Sequence, residues 1–504
     1  MSKFTPSKYQ QAIYDFVEKG KGNLIVNAVA GSGKTTTIVN ALKLIPETKT
    51  VCFLAFNKSI VSELKTRVSS KVNVQTLHSL GWSAMIKNLT RPILNNSKVD
   101  GIINVMSKSW EFETNQFNKQ NGESIAIDYE YKQRVKKLVD LIRINLIDKG
   151  DINKLLELAL KNSILVLNGE CERAFEVLAN LYFTNEFDFT DMLYIPAIKN
   201  LEIQTYDFVF IDECQDLSKV QQVLFKKIMD KNSRFVAVGD PMQSIYGFAG
   251  ADTESFINLV KSKNTKQLPL SVSYRCGKNI VDYAKSIVPH LEYTENAIDG
   301  EIVENGKIED IKDGDMILCR NTAPLVSMCM NFLSKGQKAY IKGGDIGKSL
   351  VNFVNKSKTE DLTEMFKYQQ KQLDFIVTKL HQKYPTLGME QLREMPQYLS
   401  IQEKIEVLSI MAENQYVKTC RDLTIRIEYI FKDESVGIIF STIHKAKGLE
   451  NDRVWILDRE LMPSKYAKKK WMKEQERNLE YVAYTRAKSM LGFISSPNKK
   501  QDKK

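Results

Sequence analysis

Residues 24–37, LIVNAVAGSGKTTT, constrain the fold of this chain more than any other stretch. Leu24, Ile25 and Val26 form an apolar, β-prone run that reads as a buried strand, and residues 36–44 read as the first turns of a helix. The turn between them follows the spacing G-x-x-x-x-G-K-[ST], with Ala28 at the first glycine position and Gly33, Lys34 and Thr35 at the others. Strand, glycine-rich turn and helix in that order make a phosphate-binding unit. Backbone N–H groups of Ala30, Gly31, Ser32 and Gly33 would wrap a β-phosphate at a helix N-terminus, where the dipole favours an anion. Lys34 would reach the β and γ oxygens, and the Thr35 hydroxyl would hold Mg2+. Ala28 sits at the mouth of the turn, where a methyl group is expected to be tolerated.

At 504 residues the chain exceeds a single core and suggests about three or four domains. No apolar run reaches the ~18 residues of a membrane helix, and the N-terminal stretch has no secretory apolar segment. The seven cysteines are odd in number and scattered, without a Cys-x-x-Cys, so they read as reduced thiols in a cytoplasmic protein with no membrane partner. With four histidines, no metal is expected beyond nucleotide-bound Mg2+. The net charge of +11 suits a polyanionic partner, although Lys supplies 57 of the 72 basic residues and codon bias alone would give the same excess. That lysine bias fits an AT-rich genome, such as that of a phage or a low-GC bacterium. The tail NKKQDKK reads as disordered.

Apolar β-like runs alternate with helical stretches over residues 22–82 and 206–262, the pattern of a mainly parallel α/β sheet. Candidate strands are 51–56, 208–211 and 235–238. Residues 83–200 are mostly helical in pattern: Tyr131, Val135, Leu138 and Ile142 share one face, and 152–167 is amphipathic. A second α/β region runs from 269 to 347 and resumes near 432, with candidate strands at 316–319, 437–440 and 454–457. The block between carries Leu362, Met365, Phe366, Leu373, Ile376, Val377 and Leu380 near a 3.6-residue period. No short internal repeat is present.

A second nucleotide element is FVFIDECQD, residues 208–216. Its apolar strand delivers Asp212 and Glu213 at one end. Asp212 would orient Mg2+, and Glu213 would position and deprotonate an attacking water. VAVGDPMQSIYGFAGA, residues 236–251, has the same layout, with Gln243 placed to sense a γ-phosphate. Tyr246 and Phe248 could offer rings for base stacking, worth ~1–3 kcal/mol per base, or could simply be core.

In order along the chain these motifs resemble those of the UvrD/Rep-like branch of superfamily 1 DNA helicases, and among them the F-box DNA helicase type with its phage and bacterial relatives. AVAGSGKTTT resembles the first motif, where alanine is usual at the position of Ala28. TPSKYQQAI resembles the glutamine motif, with Gln10, or Gln11 beside it, as adenine reader. FLAFNKSIVSEL and VQTLHSLGW resemble motifs Ia and Ib, and DFTDML the acidic-aromatic element before motif II. IDECQD and VGDPMQSIYGFAGA resemble motifs II and III. LSVSYRC resembles motif IV, and DMILCRNTAPL the strand element after it. STIHKAKGLENDRVWIL and EQERNLEYVAYTRAK resemble motifs V and VI.

The resemblance implies two RecA-like parallel-sheet cores, each interrupted by a mainly helical insert. Core 1A would take 1–82 and 201–268, insert 1B 83–200, core 2A 269–347 and 432–504, and a reduced 2B insert 348–431. It implies that Arg275 and Arg486 reach the γ-phosphate, that Tyr274 stacks on adenine, that Thr36 belongs to the nucleotide loop, and that Glu450 faces the ribose or the second core. Gln243 would link ATP state to DNA. Phe56, Asn57, His78, Tyr246, Phe248, Asn321, Thr442 and His444 would contact single-stranded DNA. The implied activity is 3′-to-5′ travel with ATP and Mg2+ on single-stranded DNA and its junctions with duplex, alongside single-strand-binding or recombinase proteins. A protein-stripping translocase, an ATP-switched nucleic-acid-binding protein and an RNA motor are the alternatives. The sequence departs from the pattern at Phe248, which stands where tryptophan is common, and at Thr36, where many relatives carry arginine. Motif Ia is a residue short. No nuclease domain is expected after motif VI, and no F-box region before the glutamine motif.

Overall fold

A computed structural model of the chain describes residues 5–121, 126–245, 254–432 and 436–496. Two compact units emerge. The first holds the chain up to Ala28 and Gly33–Leu270; the second holds Val29–Ser32 and the chain from Ser271 onward.

The first unit is built on a six-stranded, wholly parallel sheet. Its strands are β1 (Asn23–Ala28), β2 (Val51–Leu54), β3 (Val72–Gln75), β4 (Phe208–Ile211), β5 (Arg234–Gly239) and β6 (Thr265–Leu270), in the spatial order β3-β2-β4-β5-β1-β6. Helices cover both faces, so successive strand residues enter two different cores. Leu24, Val26, Phe208, Phe210, Val236 and Val238 pack on one side with Ile13, Ile38 and Leu64. Ile25, Val209, Ile211, Phe235 and Ala237 pack on the other with Leu80, Leu224 and Phe225. That double burial is why these strands read as continuous apolar runs. Pro269 is accommodated because β6 lies at a sheet edge.

The helical block of the first unit has a core of its own, in which Trp110, Tyr131, Val135, Leu138, Ile142 and Phe175 are buried. It also contains a short parallel pair, Ile93–Leu94 with Glu186–Phe187, that the sequence pattern did not indicate. The helix Leu77–Asn88 runs unbroken through the boundary expected after residue 82. Likewise, residue 268 lies inside β6, and the units divide at Leu270 and Ser271.

The second unit repeats the plan. Its strands β7 (Glu301–Val303), β8 (Met316–Cys319), β9 (Ala339–Lys342), β10 (Ile438–Thr442), β11 (Asn451–Leu457) and β12 (Ala487–Ile494) form a parallel sheet in the order β7-β12-β11-β8-β10-β9. The short strands Val272–Ser273 and Glu292–Tyr293 pair separately. Gly492 on β12 is required by its neighbour: an added Cβ would lie 2.3 Å from the Trp455 ring. The helices Leu362–Lys383, Pro396–Ala412 and Cys420–Ile430 contribute to the core of this sheet. Met365, Leu408, Met411, Leu423 and Ile427 join Ile317, Ile341 and Phe440 in one cluster. The helix Gly344–Asn355 spans the boundary expected after residue 347.

Candidate nucleotide and nucleic-acid sites

Parallel strands put their C-terminal ends on one edge of a sheet, where loops can converge on a ligand. In the first unit, the adjacent strands β4, β5 and β1 deliver Asp212-Glu213, Asp240 and the glycine turn to that edge. Gly31 and Gly33 have φ of 70° and 74°, the left-handed region that lets backbone N–H groups turn inward, and Gly33 caps the helix Lys34–Leu42. Ala28, Ala30 and Ser32 are each about 1% exposed, and the buried Ser32 hydroxyl has no hydrogen-bond partner among the described residues. A polar atom of that kind inside a glycine turn fits an oxygen-rich ligand; two of the turn's amides are engaged here, the Ala30 N–H donating to Tyr481 Oη at 2.8 Å and the Ser32 N–H to the Val29 carbonyl at 3.3 Å.

Lys34 Nζ lies 2.6 Å from Glu213 Oε1, and Thr35 Oγ1 lies 3.4 Å from Asp212 Oδ2. The Thr35 hydroxyl and the Asp212 carboxylate are hard oxygen donors of the kind Mg2+ takes. Burial works against the Lys34 ammonium, yet the carboxylates of Glu213, Asp212 and Asp240 outweigh it and hold the amine well above its ordinary pKa. Burial, then the charge of Glu213, pushes Asp212 up to about 6; burial also raises Asp240 to about 6 against the pull of Lys34. Glu213 itself has φ of 52°, a left-handed conformation that costs a non-glycine residue ~1–3 kcal/mol and is found where surrounding structure enforces it.

A hydrogen-bond chain extends from this cluster. Glu213 Oε2 accepts from Gln215 Nε2 at 2.6 Å, Gln215 Oε1 accepts from the Asp240 N–H at 3.0 Å, and Asp240 Oδ2 accepts from Gln243 Nε2 at 2.7 Å. Gln215 and Asp240 were not singled out from sequence as site residues. Their place at the ends of two apolar strands was the available signal.

The adenine-reading alternatives separate. Gln10 is 2% exposed, donates to Thr37 Oγ1 at 3.1 Å and accepts from the Ser7 N–H at 3.0 Å, while Gln11 is exposed and bonds Asp15. Thr36 receives a bond from Arg67 Nη2 at 3.3 Å.

In the second unit the two arginines meet around Thr485. Arg275 Nε pairs with Glu450 Oε2 at 2.7 Å, and its Nη1 donates to the Thr485 carbonyl at 3.2 Å. Arg486 is 1% exposed and donates to the carbonyls of Val482 and Leu449, each at 2.9 Å. Glu450 also pairs with Lys488 at 2.9 Å; burial would raise its pKa, but Lys488 and Arg275 bring it below the ordinary value. Its carboxylate is thus engaged in orienting Arg275. Tyr274 is half exposed. These groups cluster at the N-terminal end of β11 and β12.

The described residues among those expected to meet DNA occupy the C-terminal edges of the two sheets. Phe56 and Asn57 follow β2, and His78 follows β3. Phe56 is 50% exposed; Asn57 caps the helix Lys58–Arg67 through a bond from the Ile60 N–H. Asn321 follows β8, and Thr442 ends β10, with His444 just beyond. Asn321 stands at the N-cap position of the helix Thr322–Ser334 without capping it; Glu403 accepts from the Thr322 N–H at 2.8 Å instead. Burial, aided by Arg320, lowers the His444 pKa to about 3, and burial lowers that of His78 to about 4. Tyr246 and Phe248 lie outside the described residues. The structure adds Phe189, 53% exposed and stacked on His78 with ring centroids 4.0 Å apart. Its signal in the sequence was an aromatic set between two acids in DFTDML.

Two parallel sheets, the first covered by helices on both faces and carrying a phosphate-loop turn, define the α/β architecture of RecA-like motor cores. The family model described as "UvrD/REP helicase N-terminal domain" matches residues 9–264, just over half of the chain, and the chain belongs to that family. It is similar to the ATP-dependent DNA helicase Rep of Buchnera aphidicola subsp. Acyrthosiphon pisum (strain APS), with 25% identity over 309 residues, 56% of this chain and 45% of that protein. F-box DNA helicase protein 1 of Schizosaccharomyces pombe is 26% identical over 292 residues, covering 53% of this chain and 30% of that one. F-box DNA helicase 1 of Gallus gallus is 22% identical over a match covering 96% of this chain and 48% of that protein. The chain therefore spans less than half the length of each of these relatives. No helix among the described residues is long and apolar enough to cross a membrane.

Proposed function

We propose that the chain is an ATP-dependent DNA helicase that moves 3′-to-5′ along single-stranded DNA. The observation that carries this reading is the cluster of Lys34, Glu213, Thr35 and Asp212 at the C-terminal edge of a parallel sheet, within a chain of the UvrD/REP family. Mg2+ held by Thr35 and Asp212 would neutralise charge on the phosphate oxygens. Lys34 binds the β and γ oxygens, the turn of Ala30 to Gly33 cradles the β-phosphate, Gln10 reads adenine, and Tyr274 stacks on it. Glu213 accepts the proton of the attacking water, and Arg275 and Arg486 meet charge developing on the transferred phosphoryl group. Phe56, His78, Phe189, Asn321, Thr442 and His444 carry the strand. The helical block of 83–200 serves as insert 1B. The block of 348–431 is a reduced 2B whose helices share the core of the second sheet.

The test is unwinding of 3′-tailed, 5′-tailed and blunt duplexes with ATP. Unwinding of the 3′-tailed substrate alone is expected. Turnover without unwinding of any substrate would leave a translocase, and unwinding from the 5′ tail would reverse the polarity.

A further inference from the structure

At the opposite end of the first sheet lies a cavity of about 640 Å3 that the nucleotide and DNA readings do not use. Its walls are the loops leading into the adjacent strands β5, β1 and β6, and its floor includes Phe225, Met229, Phe235 and Leu259. Five cations line it against one carboxylate, Asp230. Arg234 is committed to the carbonyls of Gly22, Val17 and Phe16 at 2.9, 3.2 and 3.0 Å. Asp230 is committed to its own turn, accepting from the N–H groups of Asn232 and Ser233. Lys21, Lys226, Lys231 and Lys263 are left on the rim, all exposed, and none pairs with a carboxylate among the described residues.

We propose that this cavity docks an acidic peptide segment of a partner protein, with carboxylates on the lysine rim and an apolar side chain against Met229, the partly exposed residue of the floor. Four unpaired ammonium groups around one concave mouth hold a field that anionic side chains complement, and such a field raises association rate and selects the partner. A nucleic-acid strand fits less well. Single strands bind along aromatic platforms, and the rings here, Phe225 and Phe235, are 0% and 3% exposed and present no face for a base. The exposed rings of this unit, Phe56, Phe112, Phe117, Tyr129, Phe183 and Phe189, do not line the cavity.

The test uses the full chain and a fluorescein-labelled peptide of four aspartates followed by leucine and phenylalanine, read by anisotropy. Lys231→Glu/Lys263→Glu should weaken binding about tenfold or more, as expected for two reversed rim charges. DNA-stimulated ATPase should stay at the parent level. The control Lys108→Glu/Lys149→Glu, exposed positions elsewhere with the same change in net charge, should bind the peptide as the parent does. Any of three results overturns the proposal: no peptide binding by the parent, equal losses in both variants, or displacement of the peptide by oligo-dT of equal charge at equal concentration. Failure here would leave the nucleotide site untouched, and a dead ATPase with intact peptide binding would leave this proposal standing.

Discussion

Replacing Glu213 with glutamine tests the nucleotide site with the least change in shape. Each carboxylate oxygen of Glu213 accepts one bond at 2.6 Å, Oε1 from Lys34 and Oε2 from Gln215. An amide keeps only one acceptor. The Lys34 ammonium, held charged by its surroundings, should claim it, which turns the new NH2 toward the NH2 of Gln215. Gln215 can relieve that clash only by flipping its own amide, and the flip points its NH2 at the Asp240 N–H, whose present acceptor is Gln215 Oε1 at 3.0 Å. The flip would also give up the Gln215 Nε2 bond to Asp216 Oδ2 at 3.2 Å, so the defect should stay between residues 213 and 215, where one hydrogen bond is lost. A charge-assisted bond contributes about 1.5–3 kcal/mol, and Glu213→Gln should lower folding stability by about that much, with Asp212 and Asp240 left to balance the Lys34 charge. Hydrolysis should fall much further, ~10²- to 10⁴-fold, because an amide cannot take a proton from water. The assay pairs binding of a fluorescent ATP analogue with steady-state phosphate release in saturating oligo-dT. Retained nucleotide binding with collapsed turnover is expected; phosphate release within threefold of the parent would refute the assignment of Glu213 as base.

Arg486→Ala should keep ATP binding and reduce stimulated turnover by ~10³-fold or more. Since Arg486 also ties Val482 and Leu449 together, a thermal melt on the same sample separates lost chemistry from lost folding, and parental turnover would remove the finger role. Phe189→Ala should weaken oligo-dT binding by ~1–3 kcal/mol, measured by anisotropy, and unchanged affinity would exclude its ring from the strand path. His78 is held neutral by burial, with its pKa depressed to about 4, so the unfolded chain takes up a proton before the folded one does. The stability it contributes is present above pH 6.5 and declines as pH falls toward 4, by ~1–3 kcal/mol in all. Denaturant melts of His78→Phe should show a flatter dependence across that window, and an identical slope in both proteins would disprove the linkage.

The sheets were legible where double burial makes a strand apolar at every position. Phe208–Ile211 and Met316–Cys319 fall where the sequence puts them. Strand Ala487–Ile494 was hidden because Lys488 and Ser489 open it and Gly492 must yield to Trp455. Strand Thr265–Leu270 was hidden because an edge position tolerates Pro269 and exposed lysine. The phosphate turn and both acidic strand ends were readable because each is a local sequence event. The link from Glu213 through Gln215 to Asp240 was not, since it depends on amide orientation between strands that only the sheet brings together. The block of 348–431 showed its helical period but not its packing: period reveals an apolar face, and nothing in it says which core that face joins.

The turn around Phe189 shows how an exposed ring can be held ready for a ligand. Asp188 and Asp191 bond each other's backbone, with the Asp191 N–H donating to Asp188 Oδ1 at 2.8 Å and the Asp188 N–H to Asp191 Oδ2 at 3.0 Å. Both carboxylates are then gripped from below. Arg143, fully buried, forks onto Asp188 with two bonds of 2.8 Å and reaches Asp191 at 3.0 Å, while Lys98 meets Asp191 at 2.9 Å. These cations belong to two different helices of the insert, Tyr129–Asn145 and Lys98–Asn121. Buried ion pairs of this kind add little net stability over an apolar core, but losing one partner is severe, so they fix geometry more than they strengthen the fold. With the acids pinned inward, Phe189 is held at the surface between them and its ring lies on His78. A ring fixed in that way gives up little freedom when a base stacks on it, and more of the stacking energy therefore appears as affinity. On this reasoning the buried cations Arg143 and Lys98 act on the proposed strand path through Phe189, by holding the turn that carries its ring.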